Sequence, residues 1–408
     1  METKFKVFRY RWVILAAIVP IIICTEMYWL TLAPISSLAE SYYKVGGMEI
    51  SMFSSSYMIM YIIFTIPASW IIDRFGYRKS LIIGALITTI FGSLRSVFAT
   101  EFTAVIIFQF IIAIGQPFLL NISTKVPANW FPMGERSIAS GILTMAQYLG
   151  FVVAMVVSPI LAQSFSIPTL YLVFAVIAGI CTLVAIVFTK ERPMIPPGPE
   201  AEKEDISLTS MVKLFKNRNF TYVLIIVFIS MGIFNALLTL TESILKPRGI
   251  TMEQAGIVGA VFVIAGVIGA VVLPITSDKL RRRTPLFVVA IVLLVPLYLG
   301  ITYISDFTLV TLVSGIAGFT VMGVAPILFQ HGAEVAYPVK EGTSFGLILL
   351  MGQISGALFV VIFEAISSAT GSINLPMILL VIATAIEIPF TLKMRESNIL
   401  KSIQEKKN

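Results

Sequence analysis

The sequence is short of charge. Of its 408 residues only 12% are Asp, Glu, Lys or Arg, and 57% are hydrophobic. A soluble chain carries about 25% charged residues. Mean hydropathy is +0.94. Histidine is almost missing: His331 stands alone, which excludes His-cluster metal chemistry. There are two cysteines, Cys24 and Cys181, both inside apolar runs, so neither a disulfide framework nor a thiolate metal site is expected. From Ser137 to Thr189 no Asp, Glu, Lys or Arg occurs in 53 residues. A membrane-crossing helix needs roughly 20 apolar residues, so this stretch holds two spans and a turn. These absences exclude a soluble enzyme, a nucleic-acid-binding protein and a disordered scaffold. No cofactor and no metal are expected.

What is present is arranged in spans. Twelve apolar runs are predicted, over 12–36, 50–72, 79–98, 102–125, 137–162 and 167–189, then 219–243, 253–275, 285–304, 307–331, 342–367 and 373–394. This predicts an all-α membrane protein with an N-terminal bundle over 1–189, a linker over 190–218, and a C-terminal bundle with a short tail over 219–408. The linker is rich in proline and charge, and 207–218 reads as a short amphipathic helix. The net charge of +7 does not point to nucleic acid, because the basic residues sit in short clusters between apolar runs. With both termini in the cytoplasm, cytoplasmic segments collect 25 of the 29 Lys and Arg. The N-terminus carries four of them before a first span too long for a cleaved leader.

The halves repeat. Asp73-Arg74-Phe75-Gly76-Tyr77-Arg78-Lys79 after span 2 has a weaker copy at Asp278-Lys279-Leu280-Arg281-Arg282-Arg283, displaced by 205 positions. Phe131-Pro132-Met133-Gly134-Glu135 lines up with Tyr337-Pro338-Val339-Lys340-Glu341 at 206. The helices that follow match at Gln147/Gln353 and Gly150/Gly356. Six spans per repeat make the repeats parallel, related by an axis along the membrane normal.

Six plus six spans with an Asp-Arg-x-Gly-x-Arg-Lys loop resemble the major facilitator superfamily, over the whole chain. The usual glycine four residues before that Asp is Ser69 here. A narrower resemblance rests on Glu26-Met-Tyr-Trp-Leu, Asn129-Trp130-Phe131, Glu135-Arg136, the string from Glu334 to Ser344, and Gly352-Gln353-Ile354-Ser355-Gly356. These are similar to the feline leukemia virus subgroup C receptor-related transporters, heme and choline carriers of animals. The resemblance implies a substrate role for the span-1 Trp29 and for Gln147 and Gln353. It also implies an ammonium-caging aromatic in span 7, where this chain has Asn235.

Polar groups inside hydrocarbon are costly unless satisfied, so each is a functional candidate. Glu26 lies just beyond the middle of span 1, with Trp29 one turn on and Tyr28 beside that face. A carboxylate with an aromatic can cradle a cation, or Glu26 can carry a proton. The plain alternative is a packing hydrogen bond. Gln147 and Gln353, related by the repeat, are expected to face each other across a cavity. Gln116 and Asn121 flank Pro117, which predicts a locally broken span 4, and Asn235 has a similar depth in span 7. These also suit interhelical packing. Glu242, Glu364 and Arg95 read as rim charges, with Glu242 the second candidate for proton or cation coupling. Glu387 falls in span 12, expected to be peripheral. Lys125, His331 and Glu334 sit at cytoplasmic ends.

The absence of Lys and Arg from the central third of the cavity-lining spans argues against an anionic substrate. The Asp73 and Asp278 loops read as a gate. Asp73 is expected near the start of span 11, and Asp278 near the start of span 5. Arg74, Arg78 and Arg282 are expected to pair with Glu135, Glu341 or lipid phosphates, with Gly76 and Arg136 in the same motifs. The reading is a monomeric plasma-membrane carrier of a small organic solute, contacting lipids and no nucleic acid. Its competitors are a proton-driven multidrug exporter and a non-transporting receptor of carrier fold.

Overall fold

The computed structural model describes residues 6–132, 135–195, 197, 214–280, 282–337, 339 and 341–396, without the side chains at 278 and 341–343. Twelve helices are long and apolar enough to cross a membrane, and no β-strand occurs among the described residues. The chain forms two compact units, residues 1–202 and 203–408. Most of the expected linker helix, 207–213, lies outside the described residues.

In the first unit the spans are Tyr10–Trp29, Gly47–Phe75, Tyr77–Val97, Phe102–Leu120, Arg136–Ser164 and Ile167–Phe188. Span 1 ends earlier than expected. Pro34 cannot donate to a helical ladder, and the chain turns into a 3-10 turn, Ala33–Ile35, and a short helix, Ser36–Tyr43. The Thr31 hydroxyl donates to the carbonyls of Met27 and Tyr28, both at 3.0 Å, and closes the last turn. Glu26 and Trp29 therefore occupy the final turn of the helix Tyr10–Trp29, while the apolar span as a whole, Tyr10–Tyr43, runs on past them. Span 4 pauses at Asn121, four residues after Pro117, and resumes as Ile122–Trp130.

In the second unit the spans are Arg218–Thr239, Met252–Leu280, Thr284–Tyr303, Phe307–Ala336, Glu341–Thr370 and Asn374–Lys393. Span 7 stops at Thr239 and continues as Thr241–Leu245. The Thr241 hydroxyl donates to the Leu237 carbonyl at 2.6 Å, the device seen at Thr31. Spans 8 and 10 meet backbone to backbone. A Cβ on Gly318 would collide with the Phe262 carbonyl, and one on Gly269 with the Phe319 carbonyl. Phe220, Val227, Phe287, Ile327 and Ile348 join spans 7, 9, 10 and 11 in one apolar core.

The two units close the ends that carry the Asp73 and Asp278 loops in the same way. Glu191, just past span 6, accepts the backbone N–H groups of Tyr77 at 3.1 Å and Arg78 at 2.8 Å. Glu396, just past span 12, accepts those of Arg283 and Thr284, both at 2.8 Å. Each carboxylate fills the open N-terminus of a helix, span 3 or span 9. Glu396 follows Glu191 by 205 positions, so the repeat reaches a pair that the sequence reading missed. Gly76 makes the first cap possible. Its φ is +91°, and a Cβ there would run into the Glu191 carboxylate.

Candidate functional site

Glu26 is 1% exposed. Gln116 of span 4 donates its amide to both carboxylate oxygens, at 3.0 and 3.3 Å. No salt bridge to Glu26 forms among the described residues. The Gln116 oxygen has no hydrogen-bond partner there, nor do the hydroxyls of Thr25 and Tyr57. Gly150 of span 5 lets the backbone of span 1 come close: a Cβ there would meet the Glu26 Cβ and the Ile23 carbonyl oxygen, each at 2.6 Å.

Trp29 stands one turn further along. Its indole N–H donates to the Ser54 carbonyl at 2.9 Å. Its ring lies parallel to Tyr57, centroids 6.5 Å apart, and edge-on to Phe151 at 5.0 Å. Glu26, Gln116 and Trp29 thus form one buried group across spans 1, 2, 4 and 5. Tyr57 belongs to it and was missed. The signal was there: Tyr57, Tyr61, Thr65 and Ser69 recur at four-residue spacing and mark one face of span 2.

Asn121 is bound to that same face. It accepts from the Tyr61 hydroxyl at 2.9 Å and donates to Thr65 Oγ1 and Ser69 Oγ, both at 3.1 Å. Its amide is committed to joining spans 2 and 4. Asn235 donates back to the Met231 carbonyl of its own helix at 2.9 Å. It follows Trp29 by 206 positions, so the two hold matching places in their bundles. Gln147 and Gln353 are each half-buried in their own units.

Tyr28 does not join Glu26. Two residues advance a helix by about 200°, which turns its side chain to the opposite wall. There Tyr28 packs on Gly92, edge-on to Phe174 and beneath Arg95. Arg95 corrects the rim-charge expectation, for it is 0% exposed. Its guanidinium lies 4.7, 5.7 and 4.3 Å from the rings of Tyr28, Phe53 and Tyr171. It also donates to Gln109 Oε1. The Gln109 amide is held in turn by the carbonyls of Tyr28 and Phe53. Three aromatic faces and an oriented amide surround the charge, and its Nε and Nη2 make no hydrogen bond among the described residues. Glu242 and Glu364 are buried as well, not rim-exposed. Glu387 is fully enclosed, although its span is only 39% buried.

The gate residues show other partners than expected. Glu135 takes a two-pronged ion pair from Arg11, at 3.1 and 3.3 Å. Arg74 lies over Trp70 and Phe75. Arg78 reaches the Ile186 carbonyl at 3.3 Å. Arg136 bonds the Phe131 carbonyl at 3.1 Å, and Arg282 is exposed. The reason is local: Arg74, Arg78 and Arg136 each find an acceptor or ring within their own bundle. Asp73 pairs with Lys125 at 3.2 Å. The side chains of Asp278 and Glu341 lie outside the described residues.

Comparison with known proteins matches residues 14–360 to the model of the Major Facilitator Superfamily. An MFS-type transporter of Caenorhabditis elegans is 30% identical over 372 residues, 86% of this chain and 63% of the relative. The choline/ethanolamine transporter FLVCR2 of Homo sapiens is 28% identical over 378 residues, 87% of this chain and 72% of the relative. The chain thus spans less than two thirds of the nematode relative's length. Among solved structures, a bacterial homolog of the human lysosomal transporter Spinster superposes with a TM-score of 0.77 at 16% identity. It covers 96% of this chain and 100% of the other. At that identity the likeness shows the fold alone. The chain is a multi-pass membrane protein, and it belongs to the major facilitator superfamily of transporters.

Proposed function

We propose that this chain is a secondary carrier that moves a small organic solute across the plasma membrane by alternating access, with Glu26 and Trp29 at its binding site. The solute is cationic, zwitterionic or neutral, and an amine fits best. One observation carries this reading: a buried carboxylate, hydrogen-bonded by Gln116, lies one turn from a buried indole and has no salt bridge among the described residues. Such a group calls for a cation or a proton. Relatives named as choline/ethanolamine transporters support an amine. The Asn235 position argues for a head group that can donate hydrogen bonds, as a primary ammonium does and a quaternary one does not. Glu26, and as second choice Glu242, would carry a coupling proton or cation.

The topology that best suits the Lys and Arg distribution puts both termini in the cytoplasm. Asp73 and Asp278, with Arg74, Arg78, Arg282 and Glu341, would then form the cytoplasmic gate. Arg11, which already holds Glu135, would brace it.

The reading is tested by thermal-shift measurement on the purified protein with ethanolamine, choline, amino acids and heme. A bound ligand raises the apparent stability of the folded state. An amine is expected to stabilise the wild type and to lose its effect in Glu26→Gln and Trp29→Ala. Stabilisation by anions only, or an unchanged amine effect in both variants, overturns the site assignment.

A further inference from the structure

Glu387 of span 12 is 0% exposed. The Ser230 hydroxyl of span 7 donates to its Oε2 at 2.8 Å. Its Oε1 has no hydrogen-bond partner among the described residues. Span 9 brings one titratable group near, the Tyr298 phenol. Span 11 carries Glu364, six residues before its end at Thr370, whereas Glu387 is thirteen residues past the start of span 12 at Asn374. The two carboxyls thus stand about 10 Å apart in depth. No Lys, Arg or His forms an ion pair with Glu387 among the described residues.

The repeat supplies a control for this pair. Ser230 follows Cys24 by 206 positions, and Glu387 follows Cys181 by the same 206. Cys24 and Cys181, both free thiols, lie side by side between spans 1 and 6. One inter-helix contact is therefore made twice in the molecule. The first bundle makes it with two thiols. Packing of the last span on the first does not require a carboxyl, so the carboxyl needs another reason. An ionised carboxylate there would have one hydrogen bond, from Ser230, with the Tyr298 phenol near and no cation, a costly arrangement. The neutral acid has no such cost. Ser230 is half-buried and is the member of the pair that keeps an open surface.

The geometry points to a proton-binding site at Glu387, filled in this state and exchanging its proton with water by way of Ser230. The step is a simple transfer. The Glu387 O–H bond breaks, its electron pair stays on the carboxylate, and the proton passes to water at the Ser230 face. The return is the reverse. A substrate site at Glu26 and a proton site at Glu387 would place the two functions in different bundles. This inference rests on the carrier reading above, but its test needs no substrate, so the two fail separately.

Infrared spectroscopy of the full chain in proteoliposomes tests it, with H2O exchanged for D2O. Wild type minus Glu387→Gln should show the carbonyl band of a protonated carboxyl at neutral pH, and that band should shift in D2O. Ser230→Ala should slow the shift. The double variant Ser230→Cys with Glu387→Cys copies the first bundle's pair, and it should fold and lack the band. A difference spectrum without that band means an ionised residue and overturns the inference. A band that never exchanges means a sealed packing group and overturns it equally.

Discussion

At the scale of single residues, the site is a matter of reach. Glu26 is held by one amide and pressed by one glycine. Charge-assisted hydrogen bonds are worth about 1.5–3 kcal/mol, and each 1.4 kcal/mol is a factor of about ten in affinity. Glu26→Gln should therefore weaken amine binding about ten- to a hundredfold, read by titrating the thermal shift. Gly150→Ala is the sharper probe. Its new methyl would stand 2.6 Å from the Glu26 Cβ and from the Ile23 carbonyl, so span 1 or span 5 must move. The expected result is loss of the ligand effect together with a lower melting temperature. A variant that binds as the wild type does would show that Glu26 is not set by this contact.

At the scale of elements, two devices hold helices where the site needs them. Arg95 ties spans 1, 2, 4 and 6 together through Tyr28, Phe53, Gln109 and Tyr171. Cation–π contacts out of water contribute about 0.5–2 kcal/mol each, and an orphaned buried amide costs about 1–3 kcal/mol. Arg95→Leu should destabilise the protein by about 3 kcal/mol or more. Arg95→Lys should recover part of this, because it restores charge without the flat guanidinium. Thermal unfolding of the three proteins checks the order. In the second unit, Gly318→Val should cost about 1–3 kcal/mol by overpacking. Its side chain enters the Phe262 backbone, which cannot swing aside. An unchanged melting temperature would mean that spans 8 and 10 have slack.

At the scale of the whole molecule, the repeat is the organising fact. Helix-start caps at Glu191 and Glu396 are displaced by 205 positions, and the matched places of Trp29 and Asn235 and of the Cys24/Cys181 and Ser230/Glu387 pairs by 206. The proposed substrate and proton sites lie where the copies differ. The gate loop gives a prediction that separates fold from mechanism. Asp73 is 71% exposed and its pair with Lys125 is open to water, so that pair contributes little to stability. Asp73→Asn should leave the melting temperature within about 1 °C, since such a pair is worth about 0–1 kcal/mol. It should shift the balance of carrier states toward inward-open. Spin-label distances across the cytoplasmic side measure that balance, and distances that stay put refute the gate reading.

The sequence by itself determined the class, the twelve spans and the repeat, because hydrocarbon thickness and backbone satisfaction leave a chain of this composition few choices. It also singled out Glu26, Trp29 and Gln116, since a polar group in an apolar run is conspicuous. Only the tertiary structure decided which of the conspicuous residues meet. A linear reading cannot tell that Gln116 reaches Glu26 and that Asn121 turns to Thr65 and Ser69. Nor can it tell that Arg95 finds three rings instead of the rim, or that Tyr28 faces the opposite wall. Burial depth follows from hydropathy along one helix. A side chain's partner depends on the rotation and spacing of several helices, and those are set by close contacts such as Gly150 on Glu26 and Gly318 on Phe262.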